Sequence, residues 1–305
     1  MSRSRSIRMT GALALAAAAA LSFVPAGAAT ADPDPITSPT VVQNDFVVWR
    51  PSNGVWYRLA NGAGTSVSWG VAGDVPVAGD YTGDARSDYT VWRPSNGTWY
   101  VKNRVNGTTS STQWGIAGDV PQGADFHADG RDDYVVWRPS NGVWYVKNSA
   151  NGATVSSQWG VAGDVPVAGD YTGDGRADYA VWRPSNGVWY VKNSATNATS
   201  STQWGTAGDI PVTGDFSGDG VDDYVVYRPA NGVWYVKDAV TSVTWTSQWG
   251  VAGDVPVSGD FTDDGYADYV VWRPSNGVWY VKNTVTSATS STQWGVAGDV
   301  PVSFR

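Results

Sequence analysis

The chain has 305 residues with 20 basic and 28 acidic side chains, and its formal net charge is −8 at pH 7. This balance excludes nucleic acid as the expected partner, because phosphate binding requires a basic face. All the acids are aspartates, which favour turns over helices, and there is no cysteine, so we expect hardly any helix and no disulfides.

The N-terminal segment has the pattern of a secretory signal peptide. Three arginines precede the apolar run 11–24, and small residues follow up to Ala31. We expect cleavage after Ala31 and a flexible leader over 32–44. No later stretch has the eighteen or more apolar residues that a membrane span needs. The mature protein is therefore expected to be secreted, and 20 basic residues less three arginines give it a net charge of −11.

A repeat organises the remainder of the chain. The segment "WRPSNG", or a near copy, occurs six times, and "GD[VI]P" also occurs six times. The dipeptide "WG" recurs at intervals of 45 residues, at Trp69, Trp114, Trp159, Trp204, Trp249 and Trp294. Six units of one period indicate a repeat architecture.

Each repeat unit is predicted to contain four short strands. In one unit these are "IPVTGDF", "DYVVYRP", "GVWYVKD" and "TWTSQWG". The segments are rich in Val, Thr, Trp and Tyr, and the breaks between them carry Gly-Asp, Asn-Gly and Pro, as hairpins do. Four strands and their turns fill the period, which leaves no room for a helix.

Six four-stranded units predict an all-β fold, a six-bladed β-propeller over residues 45–305. The two ends of the chain complement each other. The C-terminal "GDVPVSFR" supplies a first strand, and "NDFVVWRP" near the N-terminus begins a unit that lacks one. We expect the C-terminal strand to join the N-terminal blade and close the ring, which removes both sheet edges.

Five nine-residue segments, here called the acidic loops, connect the first and second strands of the complete units. They are residues 80–88, 125–133, 170–178, 215–223 and 260–268. Positions one, five and nine are aspartate in every copy, and position three is Thr, His, Thr, Ser or Thr. Position six is glycine in four copies and Ala85 in the first.

This spacing is typical of a calcium loop. Calcium takes six to eight oxygen ligands, which a tight loop can supply from alternate residues, with a glycine at the sharp turn. The predicted ligands are Asp80, Thr82, Asp84, Asp88, Asp125, Asp129, Asp133, Asp170, Thr172, Asp174, Asp178, Asp215, Ser217, Asp219, Asp223, Asp260, Thr262, Asp264 and Asp268. The alternative is a set of Asp-Gly turns whose side chains bond their own backbone.

The five loops are not equivalent. Ala85 stands where a positive φ is expected, at a cost of about 1 kcal/mol. His127 replaces a hard oxygen and makes its loop the weakest predicted site. The N-terminal unit has no acidic loop, so five calcium ions is the ceiling. The hydroxyl at position three points to modest affinity, roughly 10⁻⁴ to 10⁻³ M.

The acidic loop followed by "DYAVWRPSNGVWYV" in tandem resembles the FG-GAP (VCBS) repeats of bacterial secreted proteins and of integrin α-chain propellers. The resemblance covers residues 45–305. It implies a calcium-stabilised propeller used for adhesion or ligand binding. It implies no particular ligand, so the partner class stays carbohydrate or a cell-surface or extracellular protein.

Seventeen of the eighteen tryptophans fall at three positions of the repeat, and Trp245 is the additional one. The first interpretation is packing, because large flat side chains fill the gap between adjacent blades. The second is that one set stays partly exposed and stacks on sugar rings in six equivalent shallow sites, as in a multivalent lectin.

Two basic positions also repeat. The arginines of "WRP" (Arg50, Arg93, Arg138, Arg183, Arg228, Arg273) are predicted to pair with the aspartates of "GD[VI]P" rather than to bind an anion. The lysines of the third strand (Lys102, Lys147, Lys192, Lys237, Lys282) are predicted to be solvated or to protect an edge.

An enzyme is the competing class of function. Catalysis usually needs two groups in different environments, whereas nearly every polar residue here is repeated five or six times. A hydrolytic triad would require His127, which lies in an acidic loop. A glycosidase that uses two aspartates is the remaining enzymatic alternative, and we assign no catalytic residues.

Overall fold

The structure is a computed structural model that describes residues 45–304. The predicted signal peptide (1–31) and leader (32–44) lie outside the described residues. Within 45–304 the chain forms 24 β-strands and no helix. These strands make six four-stranded antiparallel sheets, which confirms the all-β six-bladed propeller.

We number the blades in chain order. Blade 1 contains β1 (Phe46–Arg50), β2 (Val55–Ala60), β3 (Ala63–Ser68) and the last strand of the chain, β24 (Val300–Val302). Blade 2 contains β4 (Val75–Pro76), β5 (Tyr89–Arg93), β6 (Thr98–Lys102) and β7 (Thr109–Gln113). Blade 3 contains β8 (Val120–Ala124), β9 (Asp133–Arg138), β10 (Val143–Lys147) and β11 (Thr154–Gln158).

The other three blades follow the same plan. Blade 4 contains β12 (Val165–Pro166), β13 (Tyr179–Arg183), β14 (Val188–Lys192) and β15 (Thr199–Gln203). Blade 5 contains β16 (Ile210–Val212), β17 (Tyr224–Arg228), β18 (Val233–Lys237) and β19 (Thr244–Gln248). Blade 6 contains β20 (Val255–Val257), β21 (Tyr269–Arg273), β22 (Val278–Lys282) and β23 (Thr289–Gln293).

The ring closes as the sequence predicts. Strand β24 pairs with β1 in antiparallel register, with Val302 opposite Val47 and Val300 opposite Trp49. The backbone N–H of Asp45 donates to the carbonyl of Phe304 at 3.1 Å. The C-terminal strand thereby takes the innermost position of blade 1, as the first strand does in the other blades.

Side-chain contacts reinforce this closure. Phe304 is fully buried, and its ring stacks on Tyr89 of blade 2 with 5.3 Å between centroids. The Arg104 guanidinium lies 5.1 Å from the centre of the Phe304 ring. The Asp45 carboxylate accepts from both Arg58 and Arg104. Residues close to both chain ends are therefore tied to blade 2.

The burial of each strand follows its place in the blade. In blade 4 the second strand, β13, is buried on both faces up to Val181 and Trp182. The third strand, β14, alternates, with Trp189 and Val191 buried. The outer strand, β15, is Ser- and Thr-rich and mostly exposed. The pattern arises because the inner strands pack against two neighbouring blades, whereas the outer edge contacts water.

The hydrophobic core lies between the blades. Trp137 and Trp144 of blade 3 pack with Tyr179 and Val181 of blade 4. Trp144 and Tyr179 have ring centroids 5.9 Å apart, and buried rings of this size each remove roughly 150–250 Å² from water. Equivalent contacts recur around the ring, so two of the three tryptophan positions are packing positions.

Antiparallel connections alternate between the two ends of a blade, which gives the ring two distinct faces. One face carries the acidic loops and the turns between third and fourth strands, and we call it the acidic face. The other carries the "PSNG" turns and the connections that begin "WG" and lead to the next blade, and we call it the opposite face. These two faces hold all the candidate functional residues discussed below.

Candidate functional site

The first aspartate of each acidic loop binds the backbone of its own loop. In loop 170–178, Asp170 Oδ1 accepts from the N–H groups of Gly173 at 2.7 Å and Asp174 at 3.2 Å. Its Oδ2 accepts from Gly175 N–H at 2.7 Å. The first aspartates of the other four loops make corresponding bonds. This carboxylate thus shapes the loop as an Asx-type turn does.

Two positions of every loop adopt a left-handed backbone. Position six has φ of 61° at Ala85 and between 77° and 85° in the four glycine copies. The expected positive φ at Ala85 is confirmed. Position four is also left-handed, and it holds a non-glycine residue at Ala128 (52°) and Asp263 (58°). The five loops, which all have nine residues, therefore follow the same backbone path.

The last aspartate of each loop is buried at the start of the second strand. Asp178 has no exposed surface, and its two oxygens accept from Tyr171 N–H at 3.0 Å and Ser194 N–H at 3.2 Å. Burial raises the pKa of Asp178 to about 7. The pKa values of Asp88 and Asp223 are likewise raised to about 7 by burial. An uncompensated carboxylate is costly there, and a cation would relieve that cost.

Positions three and five are joined by an asparagine from the turn after the third strand. In blade 4, Asn193 Nδ2 donates to Thr172 Oγ1 at 2.6 Å and to Asp174 Oδ2 at 2.7 Å. The same amide bridges the loops of blades 2 and 6, and in blade 3 it bonds Asp129 alone. Its electropositive N–H groups thus contact two of the predicted ligands.

The histidine in loop 125–133 has a partner within that loop. His127 Nδ1 lies 2.6 Å from Asp133 Oδ2. Asp133 is the closing carboxylate of the loop and also accepts Phe126 N–H at 3.0 Å. Burial raises the pKa of Asp133 to about 6, and contact with His127 opposes that rise. An imidazole therefore stands where the other loops have a hydroxyl.

The predicted ligands are brought partly together. Oxygens of positions three and nine approach each other, as Thr82 Oγ1 and Asp88 Oδ1 do at 3.3 Å, and the asparagine amide connects position five to position three. Position one faces the backbone amides instead. Across residues 45–304, no group of three or more acidic or histidine side chains converges closely enough to hold a metal ion. In donor chemistry, an all-oxygen set of carboxylates and hydroxyls fits calcium.

Four of the five acidic loops are also bonded to the next blade, through the backbone carbonyl of the first aspartate. The carbonyl of Asp170 accepts from Asp222 N–H at 2.8 Å, and Asp222 Oδ2 accepts from Asp170 N–H at 2.8 Å. Asp80 and Asp132 form the same reciprocal pair at 2.7 Å. Asp222 is almost fully buried and Asp132 is partly buried, and burial raises the pKa of Asp132 to about 8. Loop geometry is thus coupled to blade packing.

The opposite face carries one polar cassette in every blade. In blade 4, Arg183 binds Asp164 through two parallel bonds of 2.6 and 2.9 Å, and its guanidinium lies 4.2 Å from the Tyr190 ring centre. The Tyr190 hydroxyl accepts from Asn186 at 3.1 Å. The arginine of every blade pairs in this way, which confirms the predicted partner.

The third tryptophan position joins neighbouring blades and remains half-buried. Trp159 Nε1 donates to the carbonyl of Tyr190, one blade on, at 3.0 Å. All six "WG" tryptophans make this bond, including Trp294 to Tyr57 across the ring closure. Lysines of the third strand reach the preceding blade, where Lys192 Nζ lies 3.0 Å from Ser157 Oγ. Lys282 bonds Ser247 in the same way, and Lys102 and Lys147 lie over tryptophan rings of the preceding blade.

One segment of the chain matches a known protein family. Residues 125–181 match the model of the FG-GAP-like repeat. The matched segment begins at the first aspartate of one acidic loop and includes the whole of the next. The chain carries an FG-GAP-like repeat. The other blades share its period and strand order, and all but blade 1 share its acidic loop.

Solved structures support the fold. The chain is similar to an N-acetylglucosamine-recognising lectin from Agrocybe aegerita, with 14% identity, a TM-score of 0.51, and coverage of 84% of this chain and 96% of that one. TolB from Acinetobacter baumannii gives 14% identity, a TM-score of 0.61, and coverage of 87% and 67%. A chain in a nidogen/laminin complex gives 8% identity, a TM-score of 0.59, and coverage of 82% and 93%.

No curated protein matches the chain in sequence. Over residues 45–304 there is also no helix with the length and apolar character that crossing a membrane requires.

Sequence reasoning missed the contacts that two groups of residues make at the acidic loops. The first is the asparagine that bridges positions three and five, whose signal is an Asn that follows "WYVK" in four blades. The second is the pair Asp132 and Asp222, which occur at position eight in only two loops. Their partners lie 52 residues earlier in the chain, in the preceding blade.

Proposed function

We propose that this protein is an exported, calcium-binding propeller that acts as a multivalent binding module, with carbohydrate as its ligand class. The observation that carries the proposal is the repetition of one polar and aromatic cassette in all six blades of the opposite face. Repeated weak sites on a rigid ring suit a binding protein, because avidity multiplies their affinity. An asymmetric pair of groups suited to catalysis is not evident among residues 45–304.

The calcium part of the proposal rests on the acidic loops. Positions one, three, five and nine would hold the ion, with Asp170, Thr172, Asp174 and Asp178 as the fullest set. The bound ion would supply positive charge next to a buried carboxylate and would fix the loop on the acidic face. Equilibrium dialysis with radioactive calcium tests this part. We expect up to five bound ions, and the absence of binding at millimolar calcium would contradict it.

The carbohydrate part rests on the junctions between blades on the opposite face. At one junction, the half-buried Trp159 adjoins Tyr190, whose hydroxyl is bonded to Asn186. An aromatic ring beside amide and hydroxyl groups matches the apolar face and the hydroxyls of a sugar. The fold is also that of a lectin which recognises terminal N-acetylglucosamine, although the low identity transfers only the fold.

A glycan array, read with calcium and with chelator, tests the carbohydrate part. Binding to a defined group of glycans in calcium is the expected result. Loss of that binding in chelator would place the ligand site under the control of the acidic loops. Binding to no glycan in either condition would contradict the carbohydrate assignment and leave the calcium assignment intact.

The second candidate function is a scaffold that binds an extracellular protein. The observation that favours it is a set of exposed aliphatic side chains on the opposite face: Val71, Ile116, Val161, Val251 and Val296, each 50–53% exposed. Each lies in a different connection that begins "WG", so the set repeats around one face of the ring, and exposed apolar surface often marks protein interaction sites. Cross-linking of the purified chain to a cell-surface extract, followed by identification of a single protein partner and no glycan, would support this candidate over the lectin.

Export rests on the predicted signal peptide alone. Expression of the full chain in its natural host, followed by N-terminal sequencing of the secreted product, is the direct test. We expect the mature chain to begin at Asp32. Retention of the intact N-terminus inside the cell would contradict export and would leave the propeller assignment unchanged.

A further inference from the structure

The dipeptide Asn-Gly occurs nine times in the chain, always within residues 45–304, and one copy is held differently from the other eight. In this dipeptide the asparagine side chain loses its amide readily, because glycine has no side chain to keep its backbone nitrogen from the asparagine Cγ. The reaction therefore depends on how freely these two groups move. The nine pairs begin at Asn53, Asn61, Asn96, Asn106, Asn141, Asn151, Asn186, Asn231 and Asn276.

Six of the pairs belong to the "PSNG" turns or, in blade 5, to "PANG", and both reacting groups are bonded there. In blade 4, Gly187 N–H donates to the carbonyl of Arg183 at 2.8 Å. Asn186 Oδ1 accepts from Val188 N–H at 3.1 Å, and Asn186 Nδ2 donates to the Tyr190 hydroxyl at 3.1 Å. The other five turns repeat these bonds. The glycine nitrogen and the asparagine amide are therefore fixed in place.

Two more pairs lie in the six-residue turns that follow the third strands of blades 2 and 3. In blade 2, Gly107 N–H donates to the carbonyl of Asn103 at 3.0 Å. The side-chain oxygen Oδ1 of Asn106 accepts from Thr108 N–H at 2.9 Å. The equivalent bonds in blade 3 are 2.9 and 2.8 Å long. These turns are exposed, but hydrogen bonds again hold the glycine nitrogen and the asparagine side chain.

The remaining pair, Asn61-Gly62, forms the turn between β2 and β3 of blade 1, which is only two residues long. Ala60 pairs with Ala63 across it. The φ values of 49° at Asn61 and 76° at Gly62 are both positive, as a type I′ hairpin turn requires, and the N–H groups of its two central residues point to solvent. Both residues are exposed. Among the nine pairs of residues 45–304, this one alone has neither its glycine N–H nor its asparagine amide hydrogen-bonded.

We propose that Asn61 is a site of spontaneous deamidation and that it reacts faster than the other eight pairs in the folded protein. The Gly62 nitrogen gives its proton to hydroxide and attacks Cγ of Asn61. A C–N bond forms, and the bond between Cγ and Nδ2 breaks, which releases ammonia and leaves a cyclic imide. Water then opens one of the two C–N bonds of the imide. The product at position 61 is aspartate or isoaspartate, and the overall reaction consumes one water and releases one ammonia.

The outer strand of blade 1 permits this reaction. The imide can close only if the turn leaves its folded conformation, and β3 is exposed along nearly all of its length. Segments with few buried contacts open locally at a low free-energy cost. The order β24-β1-β2-β3 places this strand at the far side of the sheet from the ring closure, so the reaction should leave the ring closed. The product adds one negative charge to the blade that has no acidic loop.

Peptide mapping by mass spectrometry tests the inference, because one digest reports all nine pairs. The purified chain is incubated in mildly alkaline buffer, folded in one sample and unfolded in urea in another. In the folded sample we expect Asn61 to deamidate about tenfold or more faster than any other pair, since one hydrogen bond on a reacting group accounts for roughly that factor. In urea the nine rates should be similar. A folded-state rate at Asn61 no higher than at Asn106 would overturn the proposal, and so would an equal excess at Asn61 in urea.

An exchange of turns supplies the matched control. Residues 60–63 are replaced by residues 103–108, which keeps an Asn-Gly pair but gives its glycine nitrogen the hydrogen bond found in blade 2. Deamidation in the exchanged turn should fall to the rate measured at Asn106. An unchanged rate would overturn the role assigned to the missing hydrogen bonds. If the exchanged chain fails to fold by circular dichroism, the comparison of the folded and urea-treated natural sequence decides the question.

Discussion

The two faces of the ring use the same amino acid in opposite ways. On the opposite face, the carboxylate of Asp164 is buried and receives two bonds from Arg183 of the same blade. On the acidic face, Asp170 and Asp178 receive backbone N–H groups instead of a cationic side chain. Both arrangements give the carboxylate oxygens hydrogen-bond donors, but only the arginine neutralises the negative charge.

This difference between the two faces indicates where a cation from solution should stabilise the fold. An arginine bound through two bonds brings its counter-charge with the fold, so the aspartates of "GD[VI]P" require nothing from solution. Backbone amides offer partial charges only, and burial raises the pKa of the closing aspartates. The acidic face is therefore the part of the molecule whose stability should depend on divalent cations.

Calcium removal should give the largest effect. At ten times the dissociation constant, each site adds about 1.4 kcal/mol to the free energy of unfolding, so five filled loops would add about 7 kcal/mol. Chemical denaturation in excess calcium and in excess chelator measures the difference. Hydrogen exchange should increase in the acidic loops and remain unchanged in the "PSNG" turns.

Calcium added back beyond the chelator is the control for that experiment, and it should restore the original unfolding curve. Equal free energies of unfolding in calcium and in chelator would break the contrast between the two faces. That result would favour the alternative in which the acidic loops are turns satisfied by their own backbone.

Loss of one arginine on the opposite face should have the next largest effect. Arg183→Met leaves Asp164 buried without its partner, and we expect a loss of about 3 kcal/mol in unfolding free energy, as for broken buried ion pairs. Urea denaturation measures it, and the loss should be the same with and without calcium.

Arg176→Met is the matched control on the acidic face. Arg176 is only partly buried, and only its backbone N–H, which the substitution keeps, is seen to bond the loop, to Asp174 at 3.0 Å. We expect a change within about 0.5 kcal/mol. Similar losses in R176M and R183M would show that arginine charge contributes equally to stability on both faces, and would contradict the contrast between them.

The blades, the ring closure and the arginine–aspartate pairs could be predicted from the sequence because their signals are local. The period, the glycine and proline breaks, and the complementary chain ends determine the blades and their closure, since each feature acts within one unit or at the termini. The Arg183–Asp164 pair was predictable because its members lie 19 residues apart in one blade and repeat together. The positive φ at Ala85 followed from the glycines at the equivalent position.

Contacts formed between different turns or blades could not be predicted in the same way. Asn193 reaches loop 170–178 from a separate turn, and Asp222 reaches Asp170 from the next blade. The sequence indicated both a calcium ligand and a self-bonded turn for Asp170, and it could not decide between them, because the same residue types serve both. Such choices depend on packing around the ring.

A half-buried tryptophan at the blade junction offers a smaller test. Trp159→Phe removes the indole N–H that bonds the Tyr190 carbonyl, and we expect a loss of about 1–2 kcal/mol in unfolding free energy from an unsatisfied carbonyl. Thermal and urea denaturation measure it.

The sugar-stacking hypothesis makes a separate prediction for Trp159→Phe. Only one of six sites would be weakened, so multivalent glycan binding should fall only slightly. A complete loss of glycan binding with unchanged stability would contradict equal use of the six junctions.

The smallest predicted effect concerns the backbone of one acidic loop. Ala85 adopts φ 61°, where a β-carbon is unfavourable and glycine is not. Ala85→Gly should therefore raise the free energy of unfolding by about 1 kcal/mol, and chemical denaturation with and without calcium measures the change. Gly175→Ala is the matched reverse substitution, at the same position of loop 170–178 with φ 78°, and should lower stability by a similar amount. Because the strain belongs to the loop backbone, both changes should appear in chelator as well as in calcium. If they appeared only in calcium, the left-handed backbone would be a consequence of ion binding, and the acidic face would not possess this shape on its own.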